Sequence, residues 1–460
     1  MQGAVAGGHP ATVAVGVEIL EAGGNAADAA VAAALASCVA ETVMTGLLGG
    51  GHAIYFDAAS ARARNLDCFV AVPGVGAEPR EAELIHLEVL FGAELVHYAV
   101  GPASCAVPGL PSGLVALWRE YGTLPWSRLV EPALVLARTG IDFPPAHAAC
   151  LAMLAPVMTM NEGAAIYSPG GKLLEAGARL DQPGLASALA ELAEDADSFY
   201  RGSLAHALLV LSNDRGGLLT EADLRSYEAI WTDPIEVEYR DTRLLTRGDL
   251  SGVPQIAPRL PPLHGLTETD RVLTLVDLFA TSADLDGDTT NLTVVDAAGN
   301  ACVITSSLGL GSGDYLPGLD LHLNSMLGEA DLLRGDLVPG ARMHSMMAPT
   351  LMFDDDGLCL AAGAAGGTRL KTALLGVIAS ILDEGLSAED AVERPRFHPT
   401  PTVVNAEPGV DDDALVELEA RGRNVRRWPA RHHYFGGVSV VSRAGAAGDP
   451  RRSGTATTLR

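Results

Sequence analysis

The run DTTNLTVVDAAGN spans residues 288–300 and combines a strand pattern with a turn signature. Its two threonines, Thr289 and Thr290, open a segment in which apolar and polar residues alternate, as they do in strands. Asp296 to Asn300 then form a turn signature, after which strand-like residues continue to position 307. Taken alone, these features predict an ordinary β-hairpin.

Helices and further antiparallel hairpins are predicted on both sides of this hairpin. The expected strands are residues 52–56, 64–72, 235–246, 349–362 and 437–442, and the expected helices are residues 11–22, 26–40 and 368–384. Alanine fills every face of residues 26–40, so this helix is expected in the interior, against a sheet. Because both halves mix helices with hairpins, the sequence predicts a mixed α/β fold and not a parallel βαβ array.

The segment 248–270 interrupts this pattern, because it holds four prolines and shows no periodicity. We expect it to be a surface linker or a lid.

Composition excludes several classes of protein. The chain has 460 residues, of which 48% are hydrophobic, so it is not disordered. With 57 acidic and 31 basic residues the formal charge is -26, which disfavours nucleic acid and membrane surfaces as partners. The six cysteines form no CxxC pair and are expected to be buried thiols. No signal peptide follows Met1, and the protein is predicted to be cytoplasmic.

Common catalytic motifs are missing from the sequence. It contains no GxSxG elbow, no HExxH pair, no phosphate-binding Walker loop and no GxGxxG fingerprint. Serine hydrolases of the common fold, zinc proteases and NAD enzymes therefore become less favoured. Two glycine-rich or hydroxyl-rich segments remain to be explained together with the 288–300 hairpin, namely MHSMMAPT at 343–350 and AAGGTR at 364–369.

With these segments, the sequence resembles the γ-glutamyltransferase (γ-glutamyltranspeptidase) family of N-terminal nucleophile hydrolases over almost the whole chain. The other matching segments are GHP at 8–10, GGNAADA at 23–29, VPG at 107–109, YGTLPW at 121–126, FYRG at 199–202, GGLLTEADL at 216–224, RPRFH at 394–398 and DPRR at 449–452. Each segment alone is a weak signal, but their number and order identify the chain as a divergent member of the family.

The resemblance implies a four-layer αββα sandwich with two mainly antiparallel sheets, formed as one unit by residues 1–460. It also implies a proenzyme that cuts itself between Asp288 and Thr289, giving a heavy chain 1–288 and a light chain 289–460. The freed α-amine of Thr289, with an ordinary pKa of about 7.7 to 8.0, would then serve as the base for its own hydroxyl. No cofactor or metal is expected; the partners are a small-molecule amide and the two chains of one precursor, with a homodimer as an open possibility.

The same resemblance suggests roles for four further residues. The backbone N–H groups of Gly366 and Gly367 would form the oxyanion hole, where glycine lets backbone approach a reacting carbonyl closely. Ser307 matches a hydroxyl residue that hydrogen-bonds the terminal threonine, and Thr290 is the second threonine of the family. The simpler alternatives are a plain turn at Gly366-Gly367 and routine strand hydroxyls at Ser307 and Thr290.

The chain departs from the family where the charged head of glutamate would bind. Phe69 stands in place of the family's arginine, whose fork suits a carboxylate as no aromatic ring does. Gly309 replaces an asparagine, Met326 a glutamine and Met346 a serine. Ser345 and Glu329 are the retained members of this set.

These departures favour amide chemistry on a less charged or larger acyl group than γ-glutamyl. Two alternatives stay open. An arginine from elsewhere in the chain could enter the pocket and make the protein a true γ-glutamyl hydrolase or transpeptidase. The protein could also be an uncleaved, catalytically silent scaffold with the same fold.

Overall fold

The computed structural model describes residues 1–91, 94–280 and 289–459. Its helices are α1 Pro10–Glu21, α2 Ala26–Ala40, α3 Leu110–Tyr121, α4 Trp126–Thr139, α5 Pro145–Met158, α6 Gly163–Tyr167, α7 Pro183–Glu194, α8 Ser198–Arg201, α9 Ser203–Asp214, α10 Glu221–Ser226, α11 Val253–Ile256, α12 Glu268–Phe279, α13 Arg369–Leu382, α14 Ala388–Glu393 and α15 Asp412–Ala420. Its strands are β1 Ala4–Gly7, β2 Gly50–Asp57, β3 Arg62–Cys68, β4 Ile85–Phe91, β5 Glu94–Val100, β6 Ile141–Asp142, β7 Arg179–Leu180, β8 Ile230–Thr232, β9 Ile235–Tyr239, β10 Thr242–Thr246, β11 Thr290–Val295, β12 Ala301–Ser307, β13 Tyr315–Leu316, β14 Leu321–His322, β15 Thr350–Asp354, β16 Gly357–Ala365, β17 Phe397–Pro399, β18 Val404–Ala406, β19 Val425–Arg427, β20 Gly437–Ser442, β21 Gly445–Gly448 and β22 Thr455–Thr458.

Two large antiparallel sheets form the centre of the fold. The first sheet has the order β22-β1-β11-β12-β2-β3-β8, and the second has the order β21-β20-β16-β15-β10-β9. Neighbouring strands run antiparallel throughout both sheets. Each sheet takes strands from both sides of the 288–289 junction, so the two segments of the chain are interleaved.

The sheets pack face to face between helical layers. Alternate residues of the strands, such as Ile54, Val303 and Leu351, fill the space between the sheets with a closed apolar cluster. Helix α2 covers the outer face of the first sheet, and α13 and α14 cover the second. The predicted four-layer αββα architecture is therefore confirmed.

Helix α2 is buried along its whole length, as its alanine composition predicted. The side chain of Asn25 accepts hydrogen bonds from the N–H groups of Ala27 and Asp28 and so caps the helix. Asp28 in turn accepts hydrogen bonds from Thr123 in the loop before α4. Because alanine projects little beyond the backbone, the helix approaches the sheet closely along its length.

Several predictions about element boundaries are wrong. The stretches 235–246 and 349–362, expected as strands, each contain two strands joined by a turn. The segment 248–270 is not a surface linker or lid, because its apolar residues Val253, Ile256, Leu260 and Leu263 are buried in the core beside the second sheet. The prolines interrupt the periodic pattern of the sequence, but the segment still contains apolar residues, and these are buried. The strand predicted over 64–72 ends at Cys68, and Phe69 to Val72 leave the sheet as an irregular segment.

The six cysteines are all buried, as the sequence predicted. Among the residues that the structure describes, no helix is long and apolar enough to cross a membrane.

The carboxylate of Asp296 joins the β11–β12 turn to α2. It accepts hydrogen bonds from Ala26 N at 2.9 Å, from the N–H groups of Ala298 and Asn300 at 2.9 Å and from the Asn300 amide at 2.8 Å. This one side chain therefore ties the register of the hairpin to the start of the buried helix.

Replacing Asp296 by alanine should lower the free energy of unfolding by about 3 kcal/mol, because four donors lose a charged acceptor. Urea unfolding monitored by circular dichroism measures the change. The control is Asp355→Ala in an exposed turn, which should change stability by less than about 0.5 kcal/mol. Equal effects of the two substitutions would contradict a structural role for Asp296.

Candidate active site

The β11–β12 hairpin determines where Thr289 lies. Thr290 pairs with Ser306, so Thr289, one residue earlier, lies opposite Ser307. Side chains alternate along a strand, and two residues on the same face as Thr289 contact the second sheet: Thr293 Oγ1 donates to the Ser439 carbonyl at 3.0 Å, and Asn291 Oδ1 occupies the space where a Cβ on Gly363 would lie. Thr289 therefore faces the second sheet, where its residue is 4% exposed. Asp288, the residue before the predicted cleavage point, lies outside the described residues.

The guanidinium of Arg452 holds the backbone of Thr289. Its Nη1 donates to the Thr289 carbonyl at 2.9 Å and contacts Met44 Sδ at 3.0 Å, while Nη2 donates to the His433 carbonyl at 3.4 Å. Arg452 is buried and contacts groups from three parts of the chain. Arg452 belongs to the DPRR segment at 449–452, and no pattern in the sequence predicts a role for it.

A buried ion-pair network fixes the short turn that carries Arg452. Asp449 pairs with Arg396 at 2.5 Å and with Arg451 at 3.3 Å, and Arg451 also pairs with Glu407 at 2.5 Å. Burial raises the pKa of Asp449, but the charges of Arg396 and Arg451 outweigh it and hold that pKa below its ordinary value. The carboxylate therefore stays ionised and keeps the turn in place.

Gly366 and Gly367 lie beside the same guanidinium. They connect β16 to α13 with φ values of +120° and +55°, a region that favours glycine. A Cβ on Gly366 would lie 2.8 Å from the Cα of Gly436 and 3.5 Å from Nη2 of Arg452. The guanidinium of Arg452 therefore contacts Thr289 through Nη1 and lies near Gly366 through Nη2.

Ser307, Gly309 and Glu329 form a connected set next to Thr289. The Ser307 Oγ accepts a hydrogen bond from Gly309 N at 2.8 Å. A Cβ on Gly309 would collide with Glu329 Oε1 and would lie 2.7 Å from Ser325 Oγ. Glycine at 309, where the family has asparagine, thus leaves the space that the buried Glu329 carboxylate occupies.

Phe69, Met326 and Met346, which the family resemblance suggests for substrate binding, lie together in the structure. They belong to a buried apolar cluster that also contains Met343 and Met347. Ser345 lies at its edge, where its Oγ accepts a hydrogen bond from Met347 N at 3.3 Å. The positions that would bind a charged glutamyl head in the family therefore form an apolar wall in this chain.

Two glycines allow close packing against the backbone of this wall. A Cβ on Gly50 would lie 2.7 Å from Val70 N and 3.0 Å from the Phe69 Cα, and one on Gly109 would lie 2.7 Å from the Phe69 carbonyl. Gly50 pairs with Ser307 across the sheet. At this end of the strands, Gly50 thus lies between Phe69 on one side and Ser307 and Thr289 on the other.

Two arginines near this wall are paired with carboxylates. Arg247 lies 3.3 Å from Asp249 and donates to the carbonyls of Ser345 and Met347. Arg342 lies 3.4 Å from Asp67 and packs over the ring of Tyr227. Both guanidinium groups therefore already have partners.

His52 lies between these ion pairs and Phe69, on whose ring its imidazole stacks at 5.5 Å. Burial, followed by the charges of Arg247 and Arg342, lowers the pKa of His52 well below its ordinary value. The imidazole is therefore neutral and brings no positive charge to the wall.

Comparison with known proteins places the chain in a family. The profile of the family described as gamma-glutamyltranspeptidase matches residues 12–270 and 274–459. The chain belongs to the gamma-glutamyltranspeptidase family. This result confirms the family predicted from the sequence and, with it, the enzyme class of amide hydrolases and acyltransferases.

Within the gamma-glutamyltranspeptidase family the chain is similar to proteins with two kinds of name. The acylase ACY 1 proenzyme of Pseudomonas sp. (strain SE83) is 30% identical over 96% of this chain and 90% of that protein. The glutathione hydrolase proenzyme of Bacillus subtilis (strain 168) is 25% identical over 97% of this chain and 91% of that protein. A crystal structure of cephalosporin acylase from Bacillus halodurans matches the fold with a TM-score of 0.85 at 24% identity, covering 100% of this chain and 96% of that one.

Glu41 is a site residue that sequence reasoning missed. It ends the alanine-rich helix, is 1% exposed, and accepts hydrogen bonds from the hydroxyls of Thr290 and, at 2.7 Å, Thr12. Burial raises its pKa to about 6, although the two hydroxyls and the charge of Arg452 oppose the shift. In the sequence it appeared only as a charge next to an apolar helix, and no local pattern connects it with Thr290.

Glu41→Gln should change the pH dependence of stability. A carboxyl whose pKa is raised by folding stabilises the fold below its unfolded pKa, and that contribution is lost as pH rises through about 6. The wild-type free energy of unfolding, minus that of the variant, should therefore fall by about 2 kcal/mol from about pH 4 to about pH 7. Urea titrations across this range measure it, with the exposed Glu389→Gln as control. A difference that does not vary with pH would contradict the assignment.

Proposed function

We propose that this member of the gamma-glutamyltranspeptidase family is a proenzyme that cuts itself between Asp288 and Thr289 and then acts through Thr289. The observation that carries the proposal is the position of Thr289 directly before β11, opposite Ser307 and bonded to Arg452, whose guanidinium also lies near Gly366. Cleavage would leave both sheets intact, because each contains strands from residues 1–288 and from residues 289–460. Related proteins are named as proenzymes, which supports self-cleavage of this chain.

In the proposed mechanism, the α-amine of Thr289 accepts the proton of its own hydroxyl as Oγ attacks the carbonyl of an amide substrate. The N–H groups of Gly366 and Gly367 stabilise the oxyanion, assisted by the N-terminus of α13, which begins two residues later. The amine leaves with a proton, and an acyl ester remains on Oγ. Water or a second amine then releases the acyl group and restores Thr289.

The acyl group that we propose is less charged, or larger, than γ-glutamyl. The wall formed by Phe69, Met326 and Met346 favours apolar atoms by excluding water from them. It provides no guanidinium fork for an α-carboxylate, because Arg247 and Arg342 are paired with carboxylates. The proposal therefore places the chain nearer to the acylases than to the glutathione hydrolases. The cytoplasmic location expected from the sequence remains part of the proposal, and the homodimer stays an open alternative to a monomer.

Self-cleavage should be visible on a denaturing gel with intact-mass analysis. Wild type should give two fragments, one ending at Asp288 and one starting at Thr289, and Thr289→Ala should remain a single chain of 47.6 kDa. Thr289→Ser is the control, because it retains a hydroxyl nucleophile and should still cleave. A single band for wild type after long incubation would overturn the proposal and favour the silent scaffold.

Acyl preference should follow the apolar wall. Cleaved wild type should hydrolyse hexanoyl or phenylacetyl nitroanilide at least about tenfold more efficiently than γ-glutamyl nitroanilide, measured as kcat/KM. Thr289→Ala gives the background rate. Preference for the γ-glutamyl substrate would contradict the predicted acyl group and identify a true γ-glutamyl hydrolase.

A further inference from the structure

The peptide unit between Thr289 and Thr290 is held from two sides. Its carbonyl, that of Thr289, accepts the hydrogen bond from Arg452 at 2.9 Å. The next side chain, Thr290, donates its hydroxyl hydrogen to Glu41 Oε2. Because successive side chains of a strand point to opposite faces, Thr289 faces the second sheet while Thr290 faces the helical layer.

The carboxylate of Glu41 is itself closely confined. Its other oxygen, Oε1, accepts a hydrogen bond from Thr12 Oγ1 in α1 at 2.7 Å, and its backbone N–H donates to Ser37 at 2.7 Å in the last turn of α2. A Cβ on Gly8 would collide with Oε2, so the connection between β1 and α1 also lies against it. Glu41 is therefore a rigid anchor for Thr290, held by α1, by the end of α2 and by the segment that precedes α1.

We propose that Glu41 is a positioning residue for the reaction of Thr289, acting through the hydroxyl of Thr290. This inference rests on the proposed function, in which Thr289 is the nucleophile. The start of a strand can rotate about its own axis unless something holds it, and rotation here turns the Thr289 hydroxyl away from the carbonyl it attacks. The contact of Arg452 with the Thr289 carbonyl and the contact of Glu41 with the Thr290 side chain together prevent this rotation. A displacement of about 1 Å at a nucleophile can cost about 100-fold in rate.

Thr12 provides a matched control for this role. Thr12 and Thr290 are both buried threonines that donate to the same carboxylate, so removing either hydroxyl leaves Glu41 with one donor fewer. They differ in location, since Thr12 lies in α1 and Thr290 in β11 next to the nucleophile. A purely structural role predicts equal effects of the two substitutions on the reaction, whereas a positioning role predicts a large effect of Thr290→Val alone.

The experiment compares self-cleavage of full-length precursors made by cell-free synthesis, followed on gels from the moment of synthesis. Thr290→Val should slow cleavage by about 10- to 100-fold. Thr12→Val should slow it by less than about threefold while lowering Tm as much as Thr290→Val does, and Thr290→Ser, which keeps the hydroxyl, should remain within about threefold of wild type. Once cleaved, Thr290→Val should have a reduced kcat and an unchanged KM, because the apolar wall is untouched.

Glu41→Met tests the carboxylate directly. It should slow cleavage about as much as Thr290→Val, and the double variant should be no slower than either single variant, because both remove the same contact. If Glu41→Met does not fold, the comparison of Thr290→Val with Thr12→Val and Thr290→Ser is sufficient.

Equal slowing by Thr12→Val and Thr290→Val would overturn the inference, and so would a Thr290→Ser precursor as slow as Thr290→Val. Either result leaves the proposed function standing, since wild type still cleaves. A wild-type precursor that never cleaves overturns the proposed function, and the inference falls with it.

Discussion

The contact between the Arg452 guanidinium and the Thr289 carbonyl is the interaction on which the rest of the site depends. A buried cation is costly unless its hydrogen bonds are satisfied, so its position is closely defined by the groups around it. Arg452 contacts Thr289 beside the first sheet and Met44 in the segment that follows α2. It also lies near Gly366, in the connection between β16 and α13. The carboxylate of Glu41 lies close enough for the charge of Arg452 to lower its pKa. One side chain thus defines the relative position of the elements that surround Thr289.

The sequence predicted those features that depend on neighbouring residues. The β11–β12 hairpin follows from alternation and a turn signature, and α2 follows from an asparagine cap and a run of alanine. The grouping of Phe69, Met326 and Met346 was also predicted, but from family resemblance and not from local pattern. The contacts of Glu41 and Arg452 could not be predicted, because they join residues 249 and 163 positions apart. The same limit explains the error at 248–270, where burial depends on a distant core and not on local periodicity.

In the proposed function, bond cleavage and recognition of the acyl group belong to different parts of the fold. Thr289, Ser307 and Gly366 lie at the ends of central strands, where strand pairing holds each residue in register, and Arg452 reaches them from the short turn between β21 and β22. The residues of the wall around Phe69 lie instead outside the strands. One segment follows β3, and the others lie between β14 and β15. Side chains can change there without altering any strand pairing, which fits a family whose members are named both as acylases and as glutathione hydrolases.

The glycines at 50 and 109 have a consequence for how selectivity can evolve in this fold. Because they bring backbone against backbone on both sides of Phe69, the irregular segment has no room to shift as a loop. A new acyl preference must then arise by exchanging side chains on a fixed backbone, not by remodelling the segment. Charged and apolar sets of side chains can then occupy the same space on the same backbone, and a few substitutions convert one set into the other.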